Sequence, residues 1–335
     1  MKKIVLLIFA LCYTVVAYAQ GTDQISAILQ HGDTETIFIG NTGLEQAYSA
    51  AVDGDVIILS QGIFNSINNI SKVLTIYGAG FEDNAETNTA TTTINGTFKL
   101  GDGSDTEFDG IHIEGVKING YMGLNSQLKN VTIQRCCITN NVELNHNTEN
   151  VTFRQCYMLG DILGQYKHAN GLLISNCYIT NNINKFSVNS FVHIDHSYMG
   201  HMYSYRDREF AQFLWTNSII NKLSGDMPSG KAAIVKNCIF FQKYWYDDVN
   251  LENCYLLDSS SIADILADGE NADYSPTRTF DLKEPAKYVG TDGTPIGLSG
   301  GAGWNKVPSN PYVSKVNATL SGTQLNVTYE AGVNK

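Results

Sequence analysis

Side chains able to do chemistry crowd one stretch of the chain, His193-Ile-Asp195-His196-Ser-Tyr198-Met-Gly-His201-Met-Tyr203-Ser-Tyr205-Arg206-Asp207-Arg208-Glu209. It holds three His, three Tyr, two Arg and three acids. Lys185 stands 21 residues before Arg206. A lysine and an arginine on neighbouring segments can act together on a proton beside a carboxylate: the lysine takes the proton, and the arginine neutralises the carboxylate and so lowers the cost of removing it. Tyr and Trp faces cover sugar C–H surfaces, and Arg grips a carboxylate through two parallel hydrogen bonds. The catalytic candidates are therefore Lys185 and Arg206. The substrate-binding candidates are His193, Tyr198, His201, Tyr203, Tyr205, Arg208 and Trp245, the last flanked by Tyr244 and Tyr246. A bland reading stands beside this one. His196 falls on a corner position, where it is expected to hydrogen-bond neighbouring turns, and Asp195 lies in a solvated stripe with Glu114, Gln134, Arg154, Ser175, Thr216, Lys236 and Glu252.

Such residues act together only if the chain stacks them. Eight segments do stack without gaps, ending at Val116, Cys136, Cys156, Cys177, Ser197, Ser218, Cys238 and Cys254. The steps between these ends are 20, 20, 21, 20, 21, 20 and 16 residues. A fixed period near 20 marks a solenoid, whose turns bury their faces against one another. Within each segment apolar and polar residues alternate, the period of a strand. One inward column is Ile113, Ile133, Phe153, Ile174, Ile194, Trp215, Val235 and Leu251. A second is Ile118, Ile138, Met158, Ile179, Met199, Ile220, Phe240 and Leu256. Asn176, Asn217, Asn237 and Asn253 precede the small column and suit a one-residue left-handed corner. Twenty residues are too few for a strand and a helix in every turn, so the fold expected is all-β, a right-handed parallel β-helix of roughly ten turns; the eight segments span roughly 34 Å at roughly 4.8 Å per turn. Val56–Leu59, Val73–Gly78 and Thr92–Gly96 read as further, earlier rungs. Between Phe81 and Asp109 lies an excursion rich in Thr, Asn, Asp and Gly. There Asp102, Asp105 and Asp109 have the chemistry for calcium, against the commoner reading as a solvated turn. No other cofactor is expected, and no His shares the cysteine column to make a metal site.

The chain resembles the pectin-lyase-like, right-handed parallel β-helix family over most of its length. Gly43-Leu-Glu-Gln-Ala47 through Asp55-Val-Ile-Ile-Leu-Ser-Gln-Gly62 looks like that family's capping helix and first coil. Phe280-Asp-Leu-Lys-Glu-Pro285 through Gly297-Leu-Ser-Gly-Gly301 resembles the closing segment of secreted bacterial members. Val192-His-Ile-Asp-His196 resembles the Trp-Ile-Asp-His segment of the commonest pectate lyases. The calcium-binding Asp cluster and the Arg–Pro signature of those enzymes are missing, as are the Asn-Thr-Asp, Asp-Asp, Gly-His-Gly and Arg-Ile-Lys blocks of polygalacturonases. The resemblance therefore implies a protein that binds an extracellular, acidic polysaccharide, and it leaves open whether a lyase or hydrolase activity goes with the binding. The alternative is a non-catalytic adhesin or surface-structural solenoid.

Residues 1–19 read as a signal peptide: Lys2-Lys3, an apolar run from Ile4 to Val16, and Ala17-Tyr18-Ala19 as cleavage site. The mature chain is then exported, to the medium, the periplasm or the cell surface, without inserting in the membrane. Losing two lysines takes the net charge from −11 to −13, which argues against nucleic acid as a partner. Of seven Cys, Cys12 lies in the leader, leaving six. Five share the small inward column, so they are expected as reduced, buried groups rather than disulfides. Residues 20–257 form the β-helix with its N-terminal cap. Residues 258–335 form a capping segment and a terminal hairpin expected against the C-terminal end. The column after the small one, Tyr157, Tyr178, Tyr198 and Tyr255, faces outward and reads either as cross-turn stacking or as a sugar platform.

Overall fold

The computed structural model describes residues 25–83, 90–204, 212–225, 233–241, 250–257, 260–269, 274–275, 278–309, 311–321 and 324–333. The expected leader, residues 1–19, lies outside them. The two expected inward columns are real ladders. Ile113, Ile133, Phe153, Ile174, Ile194, Trp215, Val235 and Leu251 pair in parallel register, turn upon turn, along the first sheet. Ile118 through Leu256 do the same in the ten-stranded second sheet, with Ile94 and Phe64 extending that column before them. A five-stranded third sheet closes each of the earlier coils. The result is a right-handed parallel β-solenoid whose interior is one continuous apolar core.

The corner between first and second sheets is a single left-handed residue. Arg135, Gln155, Asn176, His196, Asn217, Asn237 and Asn253 have φ between 44° and 53°. Each non-Gly residue there carries roughly 1–2 kcal/mol of strain, so the position must return something. Part of the return lies one residue on. The Cys156 N–H meets Cys177 Sγ at 3.4 Å, the Cys177 N–H meets Ser197 Oγ at 3.1 Å, and the Ser197 N–H meets Ser218 Oγ at 3.1 Å. Each of these side chains in turn donates to a carbonyl two residues back in its own coil. The column is thus small because it is a hydrogen-bonded spine as well as an apolar one, and Ser and Cys are interchangeable in it. All six cysteines from 136 to 254 are free thiols. Burial raises the pKa of Cys136, Cys156 and Cys238, and pushes that of Cys137 up to about 12, so none of these four is a ready thiolate.

Helix α1, Gly43–Ala50, buries Leu44 and Ala47 over the first coil. An antiparallel hairpin, Ser26–His31 and Thr34–Ile39, joins Val56–Leu59 beside it. The N-terminal end of the column is therefore closed. Two expectations change. Thr92–Asn95 is no separate rung, because it forms the second-sheet strand of the coil begun by Thr75–Tyr77. The excursion is shorter than expected, since Thr92–Asn95, Phe98–Leu100 and Glu107–Asp109 are regular coil strands.

Among the described residues, the C-terminal segment before the hairpin lies along the side of the column. It runs back along the corner ridge as a strap. Asn237 Nδ2 donates to the Val289 carbonyl at 3.1 Å, and the Thr291 N–H donates to Asn217 Oδ1 at 2.7 Å. His196 Nε2 lies 3.1 Å from Asp292 Oδ2. Asn176 donates to the carbonyls of Leu298 and Gly300, and Gln155 donates to that of Gly303. Glu114 accepts from both the N–H and the hydroxyl of Ser309 at 2.8 Å. Gln155, Asn176, His196, Asn217 and Asn237 thus reach outward to the strap, while Asn217 also bonds Asp195, and Arg135 bonds Glu114 and Gln155, in the neighbouring turns as expected. The terminal hairpin, Pro311–Ser321 and Gln324–Val333, begins two residues after Ser309, which is bonded to Glu114.

Under the strap lies a second core. The outer column of the second sheet continues past Tyr157, Tyr178 and Tyr198 into Ile219 and Ile239. Helix α2, Ile262–Ile265, covers it together with Leu266, Phe280, Leu282, Tyr288, Ile296 and Leu298. Tyr274 stacks on Tyr157 with ring centres 3.9 Å apart. Tyr178 stacks on Tyr198 at 4.7 Å, with Phe280 against both. At Gly297, whose φ is +92°, a β-carbon would stand 2.7 Å from the Ile219 side chain, so only glycine lets the strap come this close.

Candidate functional site

The expected site residues fall on three faces. Tyr198 is 3% exposed between Tyr178 and Phe280, so it offers no open ring face, and the Tyr157–Tyr178–Tyr198 platform is occupied by the strap. His193 lies on the first sheet, half-buried, with Nε2 2.8 Å from Thr216 Oγ1. The Thr216 hydroxyl donates to Asp195 Oδ1 at 2.5 Å, and Asn217 Nδ2 donates to the same oxygen at 2.9 Å. Burial holds the His193 imidazole below its ordinary pKa, against the opposing pull of Asp195. The group is thus a satisfied relay from the sheet face to the corner, and the Asp195 stripe is less solvated than expected. Lys185 lies on the far flank, exposed, where the chain leaves the third-sheet strand Ile183–Asn184. Its own backbone is left-handed, and its carbonyl accepts the Tyr166 N–H at 2.6 Å.

His201 and Tyr203 lie on the strand Tyr198–Ser204, in register with Lys222 and Ser224 of Ile219–Gly225. Tyr205, Arg206, Arg208 and Trp245 lie outside the described residues. The chain positions around them are nonetheless fixed. In the earlier coils the second and third sheets are separate short strands, such as Tyr178–Ile179 and Ile183–Asn184. In the next two coils one seven-residue strand, Tyr198–Ser204 and then Ile219–Gly225, runs through, before the strands shorten again at Ile239–Phe240 and Tyr255–Leu256. Ser204 pairs with Gly225, so the connections 205–211 and 226–232 leave from adjacent coils. They return at Gln212 and Ala233, whose strands are also adjacent, and 242–249 returns beside them at Asn250. The chain segments 164–168 and 185–190 occupy the same place in the two preceding coils.

This flank, where the third sheet gives way to the first, gathers what the described residues offer for binding. Tyr166 is 59% exposed, and Val188 and Phe191 are also exposed. Lys167 and Lys185 stand among them in the open. Phe191, His193 and Asp195 alternate with buried Val192 and Ile194, so the outer face runs unbroken from the flank toward the corner. Tyr166, Lys167 and Phe191 were missed in the sequence. The signal was there: Asn170, Phe191 and Gln212 are ladder partners, so stepping back 21 residues from Arg208 and again from Ser187 reaches Tyr166.

The three aspartates considered for calcium do not converge. Asp102 accepts from Ser104 and Ser126, Asp109 accepts from Asn130, and Asp105 faces His146. Among the described residues no group of three His, Cys, Asp or Glu is placed to hold a metal ion. Among them, too, no helix is long and apolar enough to cross a membrane. No family model, curated protein or solved structure matches the chain.

Proposed function

We propose that the chain is an exported β-helix protein of the pectin-lyase-like kind that binds an extracellular, acidic polysaccharide along the flank of Tyr166, Lys185 and the connections that follow. The observation that carries this reading is that five chain connections leave from and return to described strands on successive coils. By sequence those connections hold Tyr166, Lys167, Lys185, Tyr203 at the strand end, Tyr205, Arg206, Arg208, Tyr244, Trp245 and Tyr246. Aromatic faces and cations then recur along the solenoid axis, which suits a long polyanionic chain better than a small ligand. A cleaving form of the same reading uses Lys185 as base on the C5 proton and Arg206 on the carboxylate; the C5–H electron pair becomes the C4=C5 bond as the C4–O bond breaks, and the departing oxygen takes a proton from water to leave an unsaturated uronate.

Binding to polygalacturonate and to an uncharged glucan, measured by calorimetry with Lys185→Ala, Tyr166→Ala and Arg206→Ala, tests it. The expected result is that Lys185→Ala and Arg206→Ala weaken the acidic glycan alone, that Tyr166→Ala weakens both, and that salt imitates the charge variants once the screening length falls to about 10 Å at 0.1 M. Binding unchanged in all three variants removes the site from this flank. Ultraviolet absorbance of released unsaturated uronate separates cleavage from binding.

A second reading, a structural or adhesive solenoid, is favoured by the C-terminal coil. Leu251 and Leu256 belong to the inward columns, yet they are 43% and 44% exposed. Failure to bind any glycan, acidic or neutral, would leave this reading standing.

A further inference from the structure

In a solenoid each coil touches only its neighbours, so stability is a sum of nearest-neighbour contributions and an uncovered end opens first. Here the two ends are unequal. Helix α1 seals the first coil, whereas Leu251 and Leu256 leave the last one partly open. Taken alone, such a column unzips from its C-terminal end, one coil at a time.

The strap changes the connectivity. Its bonds join residues 52 to 195 positions apart in the chain, and they cross coil after coil: Asn237 with Val289, Asn217 with Thr291, His196 with Asp292, Asn176 with Leu298 and Gly300, Gln155 with Gly303, and Glu114 with Ser309. At its early end it is anchored again, where Lys306 and Tyr274 both hold Glu82. Its anchor Glu114 is in turn held within the coils by Arg135, whose Nη1 meets Oε1 at 2.9 Å while its Nε donates to Gln155. At its late end Phe280, Leu282, Tyr288, Ile296 and Leu298 lie in the second core with Ile219 and Ile239. Opening a late coil therefore strips apolar strap side chains and breaks bonds to a segment that is still fixed to early coils. We infer that the strap is a tie that makes the coils from Glu114 to Asn237 open as one cooperative unit, and that it holds shut the late coils, those with the long connections, which their own end leaves unsealed. The inference concerns the fold and stands whether or not a glycan is bound.

Native-state hydrogen exchange on the full chain, followed by mass spectrometry through a urea series, tests it. In the unaltered protein, amides of Val131–Met158 and of Phe213–Phe240 are expected to converge on one opening reaction well below the unfolding midpoint. Leu298→Asp loosens the strap without touching a coil residue. It should speed exchange in Phe213–Phe240 by at least about tenfold while Val131–Met158 changes far less, because only a sub-global opening has become easier. If Leu298→Asp yields no folded protein, Leu298→Ala read at intermediate urea gives the same comparison with a smaller split. Two results overturn the inference. In one, the late coils already exchange independently in the unaltered protein. In the other, early and late coils still exchange together after strap residues 289–303 have themselves lost protection.

Discussion

The second sheet has an apolar column on each side, and the two are built differently. Inside, Ile118, Ile138, Met158, Ile179 and their successors meet the other sheets of the same coils, so both partners of every contact obey one period. Outside, Tyr157, Tyr178, Tyr198, Ile219 and Ile239 meet Tyr274, Phe280, Leu282, Tyr288 and Leu298, which obey none. The inner core can grow with every coil added. The outer core closes only after the chain has passed the last coil and turned back. Most residues on both sides are buried, with Tyr157 and Tyr274 partly so at the outer edge, and the main difference lies in how the contacts are connected and in what breaks when one is lost.

The largest effect belongs to the inner side. Ile174→Asp puts a charge with no partner in a sealed column and should cost more than about 5 kcal/mol. Urea denaturation would show a protein unfolded or nearly so, and an intact midpoint would end the account of the column. Phe280→Ala probes the outer side. If that side is a true core, the loss should reach about 3–5 kcal/mol, the same range as Phe153→Ala inside. A loss below about 1 kcal/mol would reduce the strap to a surface ornament.

Glu114 marks the point where the strap is anchored. Burial raises its pKa, but hydrogen bonds from His112 and Ser309 and the charge of Arg135 outweigh that and leave it lowered. A lowered folded pKa means stability that is present above the unfolded value and lost as pH falls through the folded one. Glu114→Gln should therefore cost about 3 kcal/mol at neutral pH, because it leaves Arg135 buried without its partner. The gap between the two proteins should narrow on acidification below about pH 4.3. A gap that stays constant with pH would show that the carboxylate's charge is not what holds Ser309.

Smaller effects separate strap from spine. Asn176→Ala removes two bonds to the strap and relaxes nothing at φ 49°, so a loss of about 1–2 kcal/mol is expected in thermal denaturation. Cys177→Ser should change stability by less than about 1 kcal/mol, since Ser197 and Ser218 already serve in that column. Thiol titration of the denatured, unreduced mature chain should find the six cysteines free, and a reducing agent should leave the melting temperature where it was.

These contrasts also explain what the sequence yields. The inner columns are legible because a 20-residue step and a two-residue alternation act on the same residues, and Ile113 to Leu251 all satisfy both. The corner was legible where it is Asn, and at His196 through its column, and obscure where it is Arg135 or Gln155: Arg135 is held by Glu114 and Gln155 of the adjacent coils, and Gln155 by the Gly303 carbonyl 148 residues away. The tyrosine column was visible, but its covering was not. Phe280 and Leu298 carry no period, and nothing local in Ile219 or Ile239 says that an outward residue will be buried. The flank was half legible. Arg206 and Tyr205 drew attention by density, whereas Tyr166 stands alone in its coil and becomes meaningful only through the register Asn170–Phe191–Gln212.

The strap also constrains how such a chain could lengthen or shorten. Duplicating one coil adds about 4.8 Å to the column, and every anchor beyond the duplication moves by that amount. Between the anchors on Gln155 and Asn176 the strap has only the residues from Gly300 to Gly303, which leaves little chain to stretch. Between those on Asn176 and His196 it has the loop from Asp292 to Leu298, folded back on itself for a single coil step. A coil inserted next to His196 can draw on that slack. A coil inserted next to Gln155 must bring new strap residues with it, in the same event, from a part of the gene more than a hundred codons away.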